Sequence, residues 1–179
     1  MPTKITTNTM LHLPETERLV LREITPDDAE QAYLLNLDPE VVQYTGDDPF
    51  ESVEAARHFL EQYDHYRRYG FGRWGVIRKS DGAFLGWCGL KYNPELDEYD
   101  VGFRFFKKHW NQGYATEAAS ACLEVGFGHF AMPRIVGRAM EANTASIRVL
   151  EKIGLQYVGP YLSEGKKWGL YAAYPVDPS

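Results

Sequence analysis

Apolar residues recur at period two over residues 18–24 (RLVLREI) and at three- and four-residue spacing over residues 53–69, and the chain keeps switching between these rhythms to its end. Each rhythm buries one face only in its own kind of element, so neither an all-helical bundle nor an all-strand sandwich can accommodate the sequence. Thr25 reads as an N-cap, with Pro26 in the first turn and Asp27 and Asp28 at the positive dipole end, predicting a helix to about Asn36. Ser52 caps a second helix over residues 53–69, where Ala56, Phe59, Leu60, Tyr63 and Tyr66 form the apolar stripe and Gly70 the stop. Residues 71–78 and 84–92 flank the turn KSDGA and should pair as a hairpin, to which residues 99–106 add a third strand. A helix over 115–130, a strand over 134–140, a helix over 143–153 and two strands within 155–174 around SEGK complete the order β, α, α, β, β, β, α, β, α, β, β. Early antiparallel hairpins and a late βαβ unit predict an α+β, or α/β-layered, fold with helices covering a mixed sheet. The 179 residues suit one domain, 1–179, with residues 1–14 as a polar lead.

Charge and residue usage exclude several functions. The 19 Lys and Arg against 25 Asp and Glu leave a net charge of −6, which argues against a nucleic-acid partner held through its phosphate backbone. Cys88 and Cys122 form no metal-binding pair, and packing explains them better than catalysis. His12, His58, His65, His109 and His129 lack metal-ligand spacing, so no metal is expected. The lead has no apolar signal segment and no run reaches membrane-spanning length, so the expectation is a cytoplasmic protein without a membrane partner.

The stretch RFFKKHWNQGYATEA, residues 104–118, runs from a strand through a glycine bend into a helix of small residues. First-turn amides of a helix lack intrahelical partners and sit at the positive dipole end, so such a segment can cradle a phosphate. Gly113 supplies the bend, Asn111 tolerates positive φ, Thr116 adds a hydroxyl, and Arg104, Lys107, Lys108 and His109 arrive without an intervening acid. The same residues would also make an ordinary capped helix beside a solvated basic loop.

WNQGYATEA resembles the acetyl-CoA pyrophosphate loop of the GNAT N-acetyltransferase superfamily, with Gly113 and Ala115 on its last two fixed positions. Trp110 stands where the general pattern has Arg or Gln, as in the branch of the ribosomal-protein N-terminal acetyltransferases, the RimJ/RimL type. The resemblance implies a mostly antiparallel seven-stranded sheet flanked by about four helices, with a splayed βαβα half for the cofactor. It implies that Gln112, Gly113, Tyr114, Ala115 and Thr116 present amides to the pyrophosphate, and that the pantetheine runs along the backbone of Phe103, Arg104 and Phe105.

A second stretch, EANTASIRVLEKIGLQYVG, carries Asn143 as an N-cap, a buried stripe of Ile147, Leu150 and Ile153, and Gly154 as a left-handed stop. By the same resemblance, Asn143 and Ser146 face the pantetheine and thioester. Many relatives carry a tyrosine where this chain has Leu150, so Ser146 becomes the candidate proton donor to the departing thiolate. An amine acceptor is mostly protonated at neutral pH and must lose a proton before it attacks. The family places a carboxylate near the start of the strand over 99–106; Asp100 is the first candidate and Glu98 the second, and both could equally belong to a solvated loop. Gly102, inside that strand, marks a bulge or a close backbone approach. Tyr44, Tyr66, Tyr161 and Trp168 are candidates for the acceptor pocket. The implied activity is acetyl transfer from acetyl-CoA to an amine of a small molecule or protein N-terminus, by direct attack in a ternary complex, with a homodimer as the default assembly. A non-catalytic acyl-CoA sensor and a nucleotide-binding protein are the competing readings.

Overall fold

In the computed structural model, which describes residues 13–177, seven strands form one sheet in the order β1-β2-β3-β4-β5-β7-β6. They are β1 (Leu19–Arg22), β2 (Arg73–Arg78), β3 (Phe84–Asn93), β4 (Glu98–Phe105), β5 (Ile135–Met140), β6 (Gln156–Ser163) and β7 (Lys166–Ala173). Every neighbouring pair is antiparallel except β4 and β5. The expected mixed α+β sheet is therefore present. Most of the polar lead, with His12, lies outside the described residues.

The Thr25 cap forms as a reciprocal box: its hydroxyl accepts from the Asp27 amide while the Asp28 carboxylate accepts from the Thr25 amide at 2.9 Å. A short 3-10 turn over Pro26–Asp28 then leads into α1 (Ala29–Leu37). A short helix, α2 (Pro39–Val42), follows on an Asp38 cap; four residues are too few to show a period in the sequence. The helix expected over 53–69 is two, α3 (Val53–Gln62) and α4 (His65–Tyr69), and no glycine or proline marks the break. Tyr63 turns extended there. Its hydroxyl accepts from the Arg73 amide at 2.9 Å, and the Tyr66 hydroxyl accepts from the Ile24 amide at 3.0 Å and donates to the Arg73 carbonyl. These phenols satisfy strand-end backbone groups that a straight helix would leave unpaired. The remaining helices, α5 (Tyr114–Gly128) and α6 (Thr144–Lys152), lie close to expectation.

The two faces of the sheet differ in kind. On one, Trp74, Val76, Leu90, Val101 and Ile135 pack with Ala118 and Cys122 of α5 and Leu150 of α6 in the main core. Cys88 and Cys122 meet there as free thiols, their sulfurs 3.8 Å apart, and burial pushes the Cys122 thiol well up. On the other face a small cluster of Ile24, Ala29, Ala32, Ala56 and Leu60 joins Trp87 under α1 and α3, leaving room for charged residues beside it.

β4 and β5 pair only at Tyr99–Ile135 and Asp100–Val136, although they run on to Phe105 and Met140. The β4-α5-β5-α6 half is therefore splayed. Because these strands are parallel, both lead into their helices at the same, open end of the splay.

Candidate functional site

α5 begins on Gly113, whose φ of +81° is left-handed, and Asn111 two residues earlier has φ +60°. Both are residue types that tolerate this conformation, as the sequence suggests. The helical ladder starts at the Glu117 amide, which donates to the Gly113 carbonyl, and no side chain caps the first turn. The amides of Tyr114, Ala115 and Thr116 are thus left for an anion, at the positive end of a 15-residue helix.

The basic run that the sequence groups beside this loop is dispersed. Arg104 turns to the Asn36 side-chain oxygen and the Asp47 carboxylate, at 2.6 Å from the latter, over the Trp87 ring. Lys107 pairs with Glu40, and His109 is buried, which lowers its pKa. Strand alternation and the 3-10 turn over Lys107–His109 aim neighbouring residues in different directions, and acids on and after α2 collect two of them.

Arg18 comes to the loop instead. Its Nη1 donates to the Gln112 carbonyl at 3.0 Å, its Nε to Glu117 at 2.8 Å, and its guanidinium lies 4.3 Å from the centre of the Tyr114 ring. Burial would raise the Glu117 pKa, but hydrogen bonds from Thr16 and Arg18 outweigh it and hold the carboxyl below its usual range. The acid in the first turn of α5 is thereby neutralised, and the cradle stays favourable to an anion. Trp110 donates its indole N–H to the Phe105 carbonyl at 2.9 Å, tying the loop to the end of β4.

Across the splay, Asn143 caps α6, its side-chain oxygen accepting from the Ser146 amide at 3.2 Å. Leu150 is 2% exposed and covers Gly137, where a Cβ would lie 2.7 Å from it. A phenol at this position would have to enter the core.

Asp100 and Glu98 belong to a network no local pattern shows. Asp100 takes Arg73 at 2.5 Å and has Arg138 at 3.5 Å, while Glu98 takes Arg138 at 2.5 Å and has Arg134 at 3.7 Å. Arg73 reaches over β3, its Nη1 donating to the carbonyls of Gly89 and Asp100 at 2.8 and 3.0 Å. A Cβ on Gly102 would sit 2.5 Å from Arg73 Nη2, and the β3–β4 register runs unbroken. Gly102 is therefore no bulge; it keeps a corridor open for a guanidinium. Burial works against the Arg138 charge, but its bond to Glu98 and the nearby carboxylates raise its pKa overall.

Of the pocket candidates, Tyr161 and Trp168 stack at 6.2 Å, and Arg138 lies 5.9 Å from the Tyr161 ring. The loop after α2, which carries Tyr44, meets Trp168 at Gly46, where a Cβ would be 3.7 Å from the indole. Tyr66 is elsewhere, spent on backbone bonds. Phe103 and Phe105 direct their side chains into the main core, leaving backbone for any cofactor contact. Among the described residues, no group of three or more His, Cys, Asp or Glu is placed to hold a metal, and no helix is long and apolar enough to cross a membrane.

Sequence reasoning missed Arg18, Arg73, Arg134 and Arg138. Only the glycines at 89 and 102, opposite each other in β3 and β4, hinted that something bulky crosses there.

Comparison with known proteins agrees with this fold. The family described as "Acetyltransferase (GNAT) domain" matches residues 18–156. The Bacillus subtilis protein named "Uncharacterized N-acetyltransferase YoaA" is 31% identical over 152 residues, covering 84% of this chain and 86% of its own. A GNAT-family acetyltransferase structure from Bacillus anthracis superposes with a TM-score of 0.79 at 29% identity, over 90% of this chain and 98% of that one. A spermidine N-acetyltransferase from Vibrio cholerae, solved with CoA and spermine, shares the fold at a TM-score of 0.77 and 16% identity, over 89% and 96% of the two chains.

Proposed function

The chain belongs to the GNAT acetyltransferase family and is an acyltransferase, and from that premise we propose that it moves the acetyl group of acetyl-CoA to a primary amine by direct attack in a ternary complex. One observation carries the reading: β4 and β5 part just beyond Asp100, and the gap opens towards the uncapped amides at Gly113 on one strand and Asn143 on the other.

In this reading the amides from Gln112 to Thr116, with Arg18 behind them, hold the diphosphate. The backbone of Phe103, Arg104 and Phe105 lies along the pantetheine, and the side-chain amide of Asn143 steadies it. Acetyl-CoA supplies an activated acyl thioester. Asp100 or Glu98 takes the amine proton, directly or through water, as the amine nitrogen bonds the acyl carbon and the C–S bond breaks, and the Ser146 hydroxyl passes a proton to the departing thiolate while taking one up from solvent. Cytoplasmic location, a single domain over 1–179 and a homodimer belong to the same proposal, the last checked by size-exclusion chromatography with light scattering.

The test is acetyl-CoA-dependent thiol release across a panel of amines and peptides, read beside calorimetry. Acceptor-dependent release that falls in Asp100→Asn and Ser146→Ala supports the enzyme. Tight acetyl-CoA binding without acceptor-dependent release would instead identify an acyl-CoA sensor.

A further inference from the structure

The chain carries a net charge of −6, yet the cluster at the foot of the β4–β5 splay reverses that sign. Arg73, Arg134 and Arg138 face two carboxylates, Glu98 and Asp100, and Lys91 stands opposite Asp100 in the register. Both carboxylates are already committed, each meeting two guanidiniums. The donors are not. Arg134 approaches Glu98 only to 3.7 Å, beyond hydrogen-bond length, and its Nε is buried without a partner among the described residues. Trp168 Nε1, in the ring stacked on Tyr161, is a second buried donor in that condition.

A cluster in which three guanidiniums meet two carboxylates discriminates by charge. A polyamine would bring further donors to an excess of guanidinium and find no carboxylate in reserve. A ligand carrying its own anionic oxygens would give the Arg134 guanidinium the charge-assisted partner that Glu98, at 3.7 Å, does not. Beside Arg134 lies a cavity of about 140 Å³, lined also by Asp97, Glu98, Tyr99, Pro133 and Val136. The Asp97 carboxylate is engaged by the Tyr92 hydroxyl at 2.8 Å. The space suits an anionic group of a few heavy atoms.

We propose that the acceptor is an anionic amine, one with a carboxylate or phosphate within reach of its amino group, and that Arg134 is the specificity-determining residue that receives the anion. The inference rests on the acetyltransferase reading, and its test separates the two.

The full-length protein is assayed with acetyl-CoA against acceptors of one length bearing a carboxylate, a phosphate or a neutral hydroxyl, and against spermidine. One anionic arm should exceed the neutral amine in kcat/KM by about tenfold or more, with spermidine lowest, as charge-assisted hydrogen bonds allow. The carboxylate and phosphate arms decide which anion is meant. Arg134→Gln should cut the anionic-to-neutral ratio by roughly tenfold, and Arg134→Lys should recover part of it. The KM for acetyl-CoA should hold in both. Preference for spermidine or the neutral amine overturns the inference, as does an Arg134→Gln variant that slows every acceptor alike. Failure of the wild-type protein to bind acetyl-CoA in calorimetry removes the acetyltransferase reading itself, and this one with it.

Discussion

In the proposed reading, the groups offered to a ligand at the start of α5 are backbone amides of consecutive residues, set by the left-handed φ of Gly113. At the foot of β4, they are side chains from β2, β4, β5 and the residue before β5, joined through Arg73 and Arg138. A backbone site can be written in five successive letters, and it tolerates wide change elsewhere. A side-chain site spread over three strands depends on their register and has no local spelling. That division would suit the proposed reading, in which the cosubstrate is common to the family and the acceptor is selected by side chains.

If the two regions are separable, substitutions in one should leave the other's readout alone. The largest effect is expected from Gly102→Val, since a Cβ there lies 2.5 Å from the Arg73 guanidinium and must evict it from Asp100. Acceptor turnover should fall about a hundredfold or more while acetyl-CoA affinity in calorimetry shifts by only a few fold, as expected when a positioned charge pair is lost. Comparable losses in both measurements would break the division. Next, Gly113→Val forces a β-branched residue to φ +81°. The KM for acetyl-CoA should rise by roughly tenfold to a hundredfold with acceptor preference unchanged, because the amides move and the network does not.

Acid should loosen the packing of α4 against β3. His65, on α4, accepts the Tyr92 amide at 2.9 Å, and burial, then the charges of Arg73 and Lys91, push its pKa down from 6.5 to about 4. Between those values the unfolded chain binds the proton and the folded one does not. Stability is therefore fully present above about pH 6.5 and is lost as the pH falls towards 4, by on the order of 2 kcal/mol. Denaturant titrations across that window should show the loss in the wild-type protein and a flatter profile in His65→Gln. The smallest effect belongs to Arg18→Gln: its side chain is 41% exposed, so folding stability should change by less than about 1 kcal/mol. The KM for acetyl-CoA should nonetheless rise about threefold to tenfold, since Glu117 regains an uncompensated charge at the cradle.

Particular residues show why some features were readable beforehand. Gly113 and Asn111 adopt positive φ, Asn143 caps α6, and Gly154 stops it at φ +104°, because caps and turns depend on residues within one turn of each other. Leu150 fell in the core because helical spacing places it there. The break at Tyr63 was invisible, since its cause is the Arg73 amide ten residues on. The basic run misled for a related reason: adjacency in sequence says nothing about which way each side chain turns.

By itself the amino-acid sequence determined the seven strands, the four long helices without the break at Tyr63, and the left-handed glycine start of α5, since all three follow from local periodicity and backbone preference. Only the tertiary structure decided that β7 lies between β5 and β6, that Arg18 rather than Arg104 serves the loop, and that Asp100 is bound between Arg73 and Arg138. Those outcomes depend on which surfaces meet across the folded sheet, and burial of apolar area selects that meeting without leaving a trace in any short stretch of chain.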